Sequence, residues 1–384
     1  MRQKVLTIVC ILMTIGLVTA RYPSYREFVS RTRDQDVLTG FKENIDSLEI
    51  PTFDINLDAH PTTRWDKSTR YFEHQIKYCH QTIMSYIPWY MQQLFWVVSE
   101  VMKSQQSSFN GLTELSSDKY LQYVGLAQTL DLPVHEVMLT NFAYELFAHC
   151  TSIVAHNAKG EIVHGRNMDY PLYDSMHNIT YNANFVKNGQ TIFKAVMFAG
   201  YTGVFTAMTP NKFAISINQR NTDTTLGLAI NLVRWLGSSY SPASLLGYVC
   251  EHAGSFEEAQ DMLANMPLTA PVYYTVSGTS QDQGAIITRD RTGAADIWKI
   301  NFHSPADWCI GQTNYDHWIT PPPASDKNRS NAVRQAVAEI GKGNMSEDTL
   351  LKKVLQQSPI LNRGTIYSTI MSAATSEFFT VRYI

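Results

Sequence analysis

Cys150, Arg166 and Asp169 are the residues whose types and spacing could together carry out chemistry. Residues 151–155 and 162–167 are predicted strands, and the turn-like sequence Asn-Ala-Lys-Gly between them predicts a hairpin. The second strand would return Arg166 and Asp169 close to the start of the first, where Cys150 lies. A guanidinium stabilises the charged form of a nearby thiol, and a carboxylate can hold a neighbouring ammonium group. The pattern is typical of a nucleophilic cysteine.

Each of these residues also has an ordinary structural interpretation. A cysteine at the first position of a strand is most often a small buried hydrophobe. The pair Arg166 and Asp169 is compatible with a surface salt bridge, and spacing alone does not separate the two interpretations.

The elements that must position these residues form a helical first part followed by mixed strands and helices. Residues 52–57 alternate between apolar and polar side chains, as in a half-buried strand. Residues 70–147 have helical spacing, and Pro133 begins the last helix of that stretch. The later predictions are strands at 193–198, 213–218, 272–276 and 285–288, and helices that open at Ser241-Pro242, at Ser255 with Glu258, and over 330–340. This order predicts an α+β protein built in layers.

Composition excludes several classes of protein. The 384 residues include 31 Lys and Arg and 34 Asp and Glu, a net charge of −3, with 44% hydrophobic and 17% charged residues. These values exclude a disordered chain and give no reason to bind nucleic acid. Five cysteines are too few for a disulfide scaffold, although one disulfide among Cys79, Cys250 and Cys309 is left open. No spacing typical of a structural zinc site is present. Neither a metal nor a cofactor is expected.

The first twenty residues have the pattern of a signal peptide. Arg2 and Lys4 precede an apolar stretch that ends in small residues, so we expect removal of residues 1–20 and entry into the secretory route. A single membrane anchor is the alternative, but the apolar stretch is short for one. The Asn-x-Ser/Thr sites at Asn178, Asn328 and Asn344 predict glycosylation on that route.

Residues 89–102 are apolar and aromatic, with Glu100 as their one charged residue. The segment is too short to span a bilayer. It is predicted to be either a buried core helix or an interfacial helix, because Trp and Tyr beside an apolar face suit the headgroup boundary.

Short motifs in a fixed order carry a family resemblance over nearly the whole chain after residue 20. They are Pro51-x-Phe53-x-Ile55-x-Leu57-Asp58, Arg64-Trp65, residues 141–145, 150–155 and 164–169, Gly200-Tyr201-x-Gly203, and residues 287–291 and 313–318. On these motifs the chain resembles the acid ceramidase and N-acylethanolamine acid amidase family of cysteine N-terminal-nucleophile hydrolases. The resemblance implies a four-layer αββα sandwich with a mainly helical N-terminal segment.

The same resemblance implies a zymogen that cuts itself between His149 and Cys150. Residues 21–149 would form an α chain, helical with one strand joining the sheet, and residues 150–384 a catalytic β chain. The two chains would remain together as a heterodimer. After the cut, the thiol of Cys150 and its own new α-amine would serve as nucleophile and as general base or acid.

The resemblance also assigns roles within the site. Arg166 would favour the thiolate, Asp169 would orient the ammonium group, and Asn314 would donate to the oxyanion. Asn218 is a weaker second donor, and Arg329 is the nearest match to an arginine that relatives carry further along the chain. On composition alone, Asn314 would instead be interpreted as a turn residue that caps its own backbone.

Two positions depart from the family pattern. Gln219 stands where relatives commonly have a glutamate, so a head-group contact or pH response of that residue would be altered. His149 occupies the cut position, where an apolar residue is more usual. An imidazolium beside the scissile bond would make maturation pH-dependent.

The implied substrate is a lipid amide. Residues 187–190, 272–274, 295–298 and 365–369 favour the N-acylethanolamine amidases, whereas residues 144–147 favour ceramidase. We therefore expect hydrolysis of N-acylethanolamines to fatty acid and ethanolamine, with ceramide N-deacylation as the alternative. A lipid-binding carrier glycoprotein without turnover is the non-enzyme alternative. A lysosomal or secreted location and peripheral membrane contact accompany either enzyme.

Overall fold

The computed structural model describes residues 47–48, 50–106, 114–144, 149–170, 172–220 and 239–383, with 227, 230–231 and 234–235. The predicted leader at 1–20 lies outside these residues, as do residues 145–148, on which part of the ceramidase-like sequence falls.

The segment before Cys150 is mainly helical, as the apolar spacing predicts. Its helices are α1 (Asp66–Tyr71), α2 (Glu73–Tyr86), α3 (Trp89–Gln106), α4 (Glu114–Leu130) and α5 (Val134–Tyr144). Pro133 precedes α5 and its carbonyl accepts from the backbone N–H groups of Glu136 and Val137, so the proline forms the first turn without needing a donor of its own.

Fourteen strands of the described residues form two sheets. They are β1 (Ser47–Leu48), β2 (Thr52–Asn56), β3 (His149–His156), β4 (Ile162–Asp169), β5 (Thr180–Lys187), β6 (Gln190–Phe198), β7 (Thr206–Thr209), β8 (Phe213–Gln219), β9 (Val272–Ser277), β10 (Gly284–Arg289), β11 (Ala294–Lys299), β12 (Cys309–Gln312), β13 (Thr365–Ser372) and β14 (Glu377–Tyr383). The six-stranded sheet has the order β1-β14-β13-β4-β3-β12, and the eight-stranded sheet has the order β11-β10-β9-β8-β7-β6-β5-β2.

Two strands that precede Cys150, β1 and β2, join these sheets, whereas the sequence predicted only one. Strand β2 lies parallel to β5 at the edge of the eight-stranded sheet. The two-residue strand β1 pairs with β14 in the six-stranded sheet. It is too short to show alternation, so its pairing could not be predicted from the pattern of side chains.

Helices cover the outer faces of the two sheets, which contact each other through β3, β4, β8 and β9. Helices α7 (Pro242–His252) and α8 (Phe256–Asn265) pack on the eight-stranded sheet, and α9 (Ala324–Ile340) and α10 (Glu347–Leu350) pack on the six-stranded one. A four-residue helix, α6 (Tyr173–Met176), follows β4. The predicted four-layer αββα sandwich is therefore confirmed.

The predicted caps hold the starts of α7 and α8. The hydroxyl of Ser241 accepts from the N–H of Ser244, and that of Ser255 accepts from the N–H of Glu258. The Glu258 carboxylate accepts from the N–H of Gly254 rather than from that of Ser255, so the predicted capping box is shifted by one residue. Helix α9 begins at Ala324, six residues before the predicted start.

Gly165 allows the outer helical layer to approach the six-stranded sheet. A Cβ atom at this position of β4 would lie 2.8 Å from the Leu350 side chain and 3.1 Å from that of Leu355. The close approach lets the Asn167 side chain donate to the Leu355 carbonyl at 2.8 Å. This contact holds the outer face of β4, the strand that carries Arg166 and Asp169, against the helical layer.

Candidate active site

The hairpin of β3 and β4 brings the three predicted catalytic residues together. Cys150 lies opposite Met168, and Asp169 lies opposite His149. The thiol is fully buried, with its sulfur 3.6 Å from the Met168 sulfur. The backbone N–H of Cys150 donates to Asn314 Oδ1 at 2.9 Å. A strand register therefore places the thiol, the nitrogen and the acidic residue at one end of the sheet.

Arg166 is held rigidly beside the thiol by its own hydrogen bonds. It is fully buried and donates to the Ile217 carbonyl at 2.6 Å and to Asn218 Oδ1 at 3.2 Å. A second nitrogen lies 2.9 Å from the Met168 sulfur. Burial raises the pKa of the Cys150 thiol, and the Arg166 guanidinium opposes this rise without outweighing it. The expected thiolate is thus favoured by Arg166 but disfavoured by burial in the uncleaved chain.

Asp169 belongs to a buried ionic network that reaches helix α9. Its carboxylate contacts Arg329 at 3.1 Å and accepts from the Thr365 hydroxyl at 2.7 Å. Arg329 in turn contacts Asp326 at 2.6 Å and donates to Asn314 Oδ1 at 2.8 Å. Burial raises the pKa of Asp169, although Arg329 and the Thr365 hydroxyl act in the opposite direction. Arg329 therefore lies next to the catalytic candidates Asp169 and Asn314. The sequence offered it only as the nearest match to an arginine of the relatives.

Asn314 presents its carbonyl, not its amide hydrogens, to Cys150. Its Oδ1 accepts from Cys150 and Arg329, and its Nδ2 donates to the Gln219 carbonyl at 2.8 Å. Its backbone N–H donates to Asp326. The arrangement can hold the nitrogen that becomes the α-amine. The predicted role as an oxyanion donor would require the Nδ2 group to turn away from Gln219, and it stays a prediction.

Asn218 and Gln219 lie at the end of β8. Both amide hydrogens of Asn218 are directed at carbonyls, those of Gln312 at 2.8 Å and Thr313 at 3.1 Å. Its Oδ1 faces Arg166, so in this geometry Asn218 positions the guanidinium instead of offering a donor to substrate. Gln219 is half-buried, and its backbone carbonyl anchors Asn314.

The loop that carries Asn314 is clamped by residues that sequence reasoning missed. Arg220 forms two hydrogen bonds with the Asp316 carboxylate, at 2.8 and 2.9 Å, and Tyr273 donates to the same carboxylate at 2.6 Å. Asp326 was also missed as a shared partner of Arg329 and the Asn314 N–H. Its spacing of three residues from Arg329 on one helix was a usable signal, whereas the Arg220 pair bridges 96 positions.

The predicted modification sites are accessible. Asn178, Asn328 and Asn344 are all exposed, and Asn328 lies within helix α9 between Asp326 and Arg329. The described cysteines, at positions 79, 150, 250 and 309, are free thiols, so no disulfide links the three that had been left open. Within the described part of the chain, no cluster of His, Cys, Asp and Glu side chains could hold a metal ion.

His164 gives the site a pH-dependent stability. Burial, with a smaller contribution from Arg166, lowers its pKa from 6.5 to about 3. A lowered pKa in the folded state means stability that is complete above pH 6.5 and lost as pH falls toward 3. We expect His164→Gln to lose less unfolding free energy over this range, by up to roughly 4 kcal/mol. Urea unfolding at several pH values measures this, and the exposed His252→Gln is the control. Parallel curves for all three proteins would contradict it.

Comparisons with known proteins agree with this geometry. Residues 150–346 match the choloylglycine hydrolase family of linear amide C–N hydrolases. The N-acylethanolamine-hydrolyzing acid amidase of Rattus norvegicus is 37% identical over 328 residues, which cover 84% of this chain and 86% of that protein. The acid ceramidase of Pan troglodytes is 30% identical over 350 residues, which cover 86% of this chain and 85% of that protein.

A solved structure shows the same fold. The Caenorhabditis elegans N-acylethanolamine-hydrolyzing acid amidase ortholog superposes with a TM-score of 0.54 at 30% identity, over 59% of this chain and 93% of that chain. The resemblance carried by the short motifs is confirmed. The chain therefore belongs to the choloylglycine hydrolase family of linear amide C–N hydrolases, together with N-acylethanolamine-hydrolyzing acid amidases and acid ceramidases, and it is an amidohydrolase.

Proposed function

We propose that this chain cuts itself between His149 and Cys150 and then hydrolyses N-acylethanolamines to a free fatty acid and ethanolamine. One observation carries the proposal: the Cys150 thiol lies beside Arg166, its backbone nitrogen is held by Asn314, and Asp169 pairs with His149, the residue before it. The names of the relatives at 37% identity support the substrate class.

In the first step the Cys150 sulfur attacks the carbonyl carbon of His149. The C–N bond then breaks as the Cys150 nitrogen takes up a proton, and the resulting thioester is opened by water. The products are an α chain ending at the His149 carboxylate and a β chain that begins with a free amine on Cys150. The two chains stay together because β2 is hydrogen-bonded to β5 across the cut.

In the second reaction the α-amine accepts the thiol proton, and Arg166 stabilises the thiolate. The sulfur attacks the acyl carbon of the lipid amide, and the ammonium proton passes to the departing amine. Water, activated by the α-amine, then releases the fatty acid from the thioester. Asn314 holds the α-amine in place through these steps, and Arg329, paired with Asp169, holds the Asn314 carbonyl.

Fatty-acid release after acid incubation tests the proposal. Intact mass and N-terminal sequencing report whether a β chain beginning at Cys150 has formed. Release from an N-acylethanolamine but not from ceramide supports the proposal, and the reverse preference supports the acid ceramidase alternative. Stable single-chain protein with no release from either lipid would favour the carrier.

Maturation is expected to depend on His149. His149 supplies the carbonyl of the scissile bond, so a charge on this residue would be next to that bond along the chain. We expect His149→Ile to flatten the pH dependence of cleavage, followed as the ratio of cleaved to intact chain on gels at several pH values. An unchanged pH profile would contradict this role.

Helix α3 is the proposed membrane contact. No helix in the described part of the chain is both long and apolar enough to cross a membrane. One face of α3 packs into the core, because Phe95 is fully buried against Phe142 and Trp235. Trp89 and Trp96 are 70% and 49% exposed. The exposed pair suits the headgroup region of a bilayer.

Trp89→Asp with Trp96→Asp is expected to weaken liposome binding roughly tenfold or more, because two interfacial indoles are lost. Liposome flotation measures this. Phe379→Asp on β14, which removes an aromatic side chain that is 50% exposed, is the matched control. Equal binding by the two variants would count against α3 as the contact.

The proposed compartment is the lysosome or the extracellular space. The leader pattern at 1–20 and the exposure of Asn178, Asn328 and Asn344 support passage through the secretory route. Glycosidase treatment of the secreted protein would report whether these asparagines carry glycans.

A further inference from the structure

A row of buried polar side chains crosses the gap between the two sheets and ends at Arg166. Ser152 and His164 come from β3 and β4, and Ser216, Asn218 and Ser277 come from β8 and β9. All five are buried. The contacts run from Ser277 Oγ to His164 Nδ1 at 3.1 Å, from His164 Nε2 to Ser216 Oγ at 2.8 Å, from Ser216 Oγ to Ser152 Oγ at 2.8 Å, and from Ser152 Oγ to Asn218 Oδ1 at 2.6 Å. None of the catalytic roles assigned above uses His164 or the serines.

The orientation of Asn218 fixes the direction of this row. Its amide hydrogens point at the carbonyls of Gln312 and Thr313, so the atom that faces Ser152 is the acceptor Oδ1. A hydroxyl has one hydrogen, and a contact between two oxygens needs one. Ser152 must therefore donate to Asn218, which leaves its oxygen as an acceptor toward Ser216.

The hydroxyl hydrogens also fix which nitrogen of the imidazole is protonated. Because the Ser216 hydroxyl donates its hydrogen to Ser152, it can only accept from His164. The contact from His164 Nε2 to Ser216 therefore requires a proton on Nε2. His164 Nδ1 then accepts from the Ser277 hydroxyl. This is the neutral tautomer with the proton on Nε2, and the lowered pKa of His164, which burial and the nearby Arg166 cause, agrees with a neutral ring.

We propose that His164 is a positioning residue for the hydrolytic reaction. Through Ser216 and Ser152 it fixes the Asn218 carbonyl, and Asn218 holds the Arg166 guanidinium beside the Cys150 thiol. The inference rests on the proposed function only in taking Cys150 as the nucleophile. We call the hydrogen-bonded row from His164 through Ser216 and Ser152 to Asn218 the relay. Its hydrogen bonds must all run in one direction, because a buried hydroxyl that turned would leave the Asn218 oxygen facing another oxygen without a hydrogen between them.

The relay also explains why the site spans two sheets. Arg166 belongs to the six-stranded sheet, whereas two of its acceptors, the Ile217 carbonyl and Asn218 Oδ1, belong to the other. A guanidinium held on one side only could shift along the gap. The charged groups that face Cys150 are Arg166 and Asp169 on β4 and Arg329 on α9. Of these, Arg166 alone contacts a member of the relay, so a broken relay should act through it.

The first test reads the tautomer without any substrate. Imidazole ¹⁵N shifts separate a protonated from a bare ring nitrogen. The His164 signals, assigned by their absence in His164→Gln, should show a neutral ring with the proton on Nε2 from pH 7 to pH 5. A proton on Nδ1 alone, or an imidazolium at pH 5, would overturn the proposal.

The second test compares two buried serines that contact the same ring. Ser216→Ala breaks the relay between His164 and Asn218. Ser277→Ala removes the hydroxyl at His164 Nδ1, on the side of the ring away from Asn218. We expect Ser216→Ala to lower kcat roughly 10- to 100-fold with KM within about twofold, and Ser277→Ala to lower kcat less than about threefold. Thermal unfolding of both variants shows whether they fold.

Equal losses in the two variants, or no loss in Ser216→Ala, would overturn the relay. If Ser216→Ala does not fold, Ser216→Thr, which keeps the hydroxyl, should restore folding and most of kcat, and failure to do so would count against the proposal. If the wild type releases no fatty acid, the proposed function fails. The tautomer and the rate of chain cleavage in the two serine variants then still decide the relay.

Discussion

Cys150→Ala is expected to abolish both chain cleavage and fatty-acid release. The same sulfur serves as attacking atom in both reactions, and no second thiol lies within reach of Arg166, Asp169 and Asn314 among the described residues. We expect a loss of more than about 10³-fold in fatty-acid release, since removal of a nucleophile leaves only binding and electrostatic stabilisation. Gel analysis and released fatty acid measure the two losses.

Cys250→Ala is the matched control for this variant. Cys250 is also buried and free, on helix α7, and burial raises the pKa of its thiol to about 12. The substitution removes a sulfur of the same kind from outside the site, so cleavage and release should stay within about twofold of the wild type. Cleavage of Cys150→Ala at residue 149, or turnover by it, would contradict the assignment of the nucleophile.

Local sequence signals predicted much of the fold because the interactions behind them are local. The serine caps of α7 and α8 bond to a backbone group three residues away. The hairpin of β3 and β4 follows from a short turn, and it alone places Asp169 opposite His149 and Met168 opposite Cys150. These are the parts of the site that the sequence could predict with no knowledge of the rest.

Long-range packing decided what the sequence could not predict. The role of Asn218 depends on β12 lying against β8, since the Gln312 carbonyl takes one of its amide hydrogens. The helical period of α3 predicts which residues share a face, but not which face is buried. Phe95 is buried and Trp96 is exposed because α5 and Trp235 cover one side of the helix. Spacing carries no information on which element supplies such a partner.

Arg329→Met is expected to cause the second largest loss, in stability as well as in activity. Arg329 lies between the carboxylates of Asp169 and Asp326, and it also donates to Asn314 Oδ1. Removing the cation takes the counter-charge from both acids in a buried site. Loss of one partner from a buried ionic network costs about 3–5 kcal/mol. The α-amine would also lose the ordered Asn314 carbonyl, so we expect kcat to fall roughly 100-fold or more.

The stability loss should depend on pH in a stated direction. Burial already raises the folded-state pKa of Asp169 above its ordinary 3.8, and removing Arg329 takes away the main opposing contribution. A raised pKa means stability that is present below the ordinary value and lost as pH rises through the folded value. The difference in unfolding free energy between wild type and Arg329→Met should therefore be largest near neutral pH and shrink as pH falls toward 3.8.

Urea unfolding across this pH range measures the difference, with Arg334→Met as control. Arg334 is on the same helix, is exposed, and donates to the Tyr315 hydroxyl and to Ser330 rather than to a buried acid. Its replacement should change the unfolding free energy by less than about 1 kcal/mol, with no trend in pH. A loss in Arg329→Met that grows on acidification would contradict the pairing, because it would mean that Arg329 does not lower the pKa of Asp169 in the folded protein. The Thr365 hydroxyl, which donates to the Asp169 carboxylate, would then be the described contact that favours its ionised form.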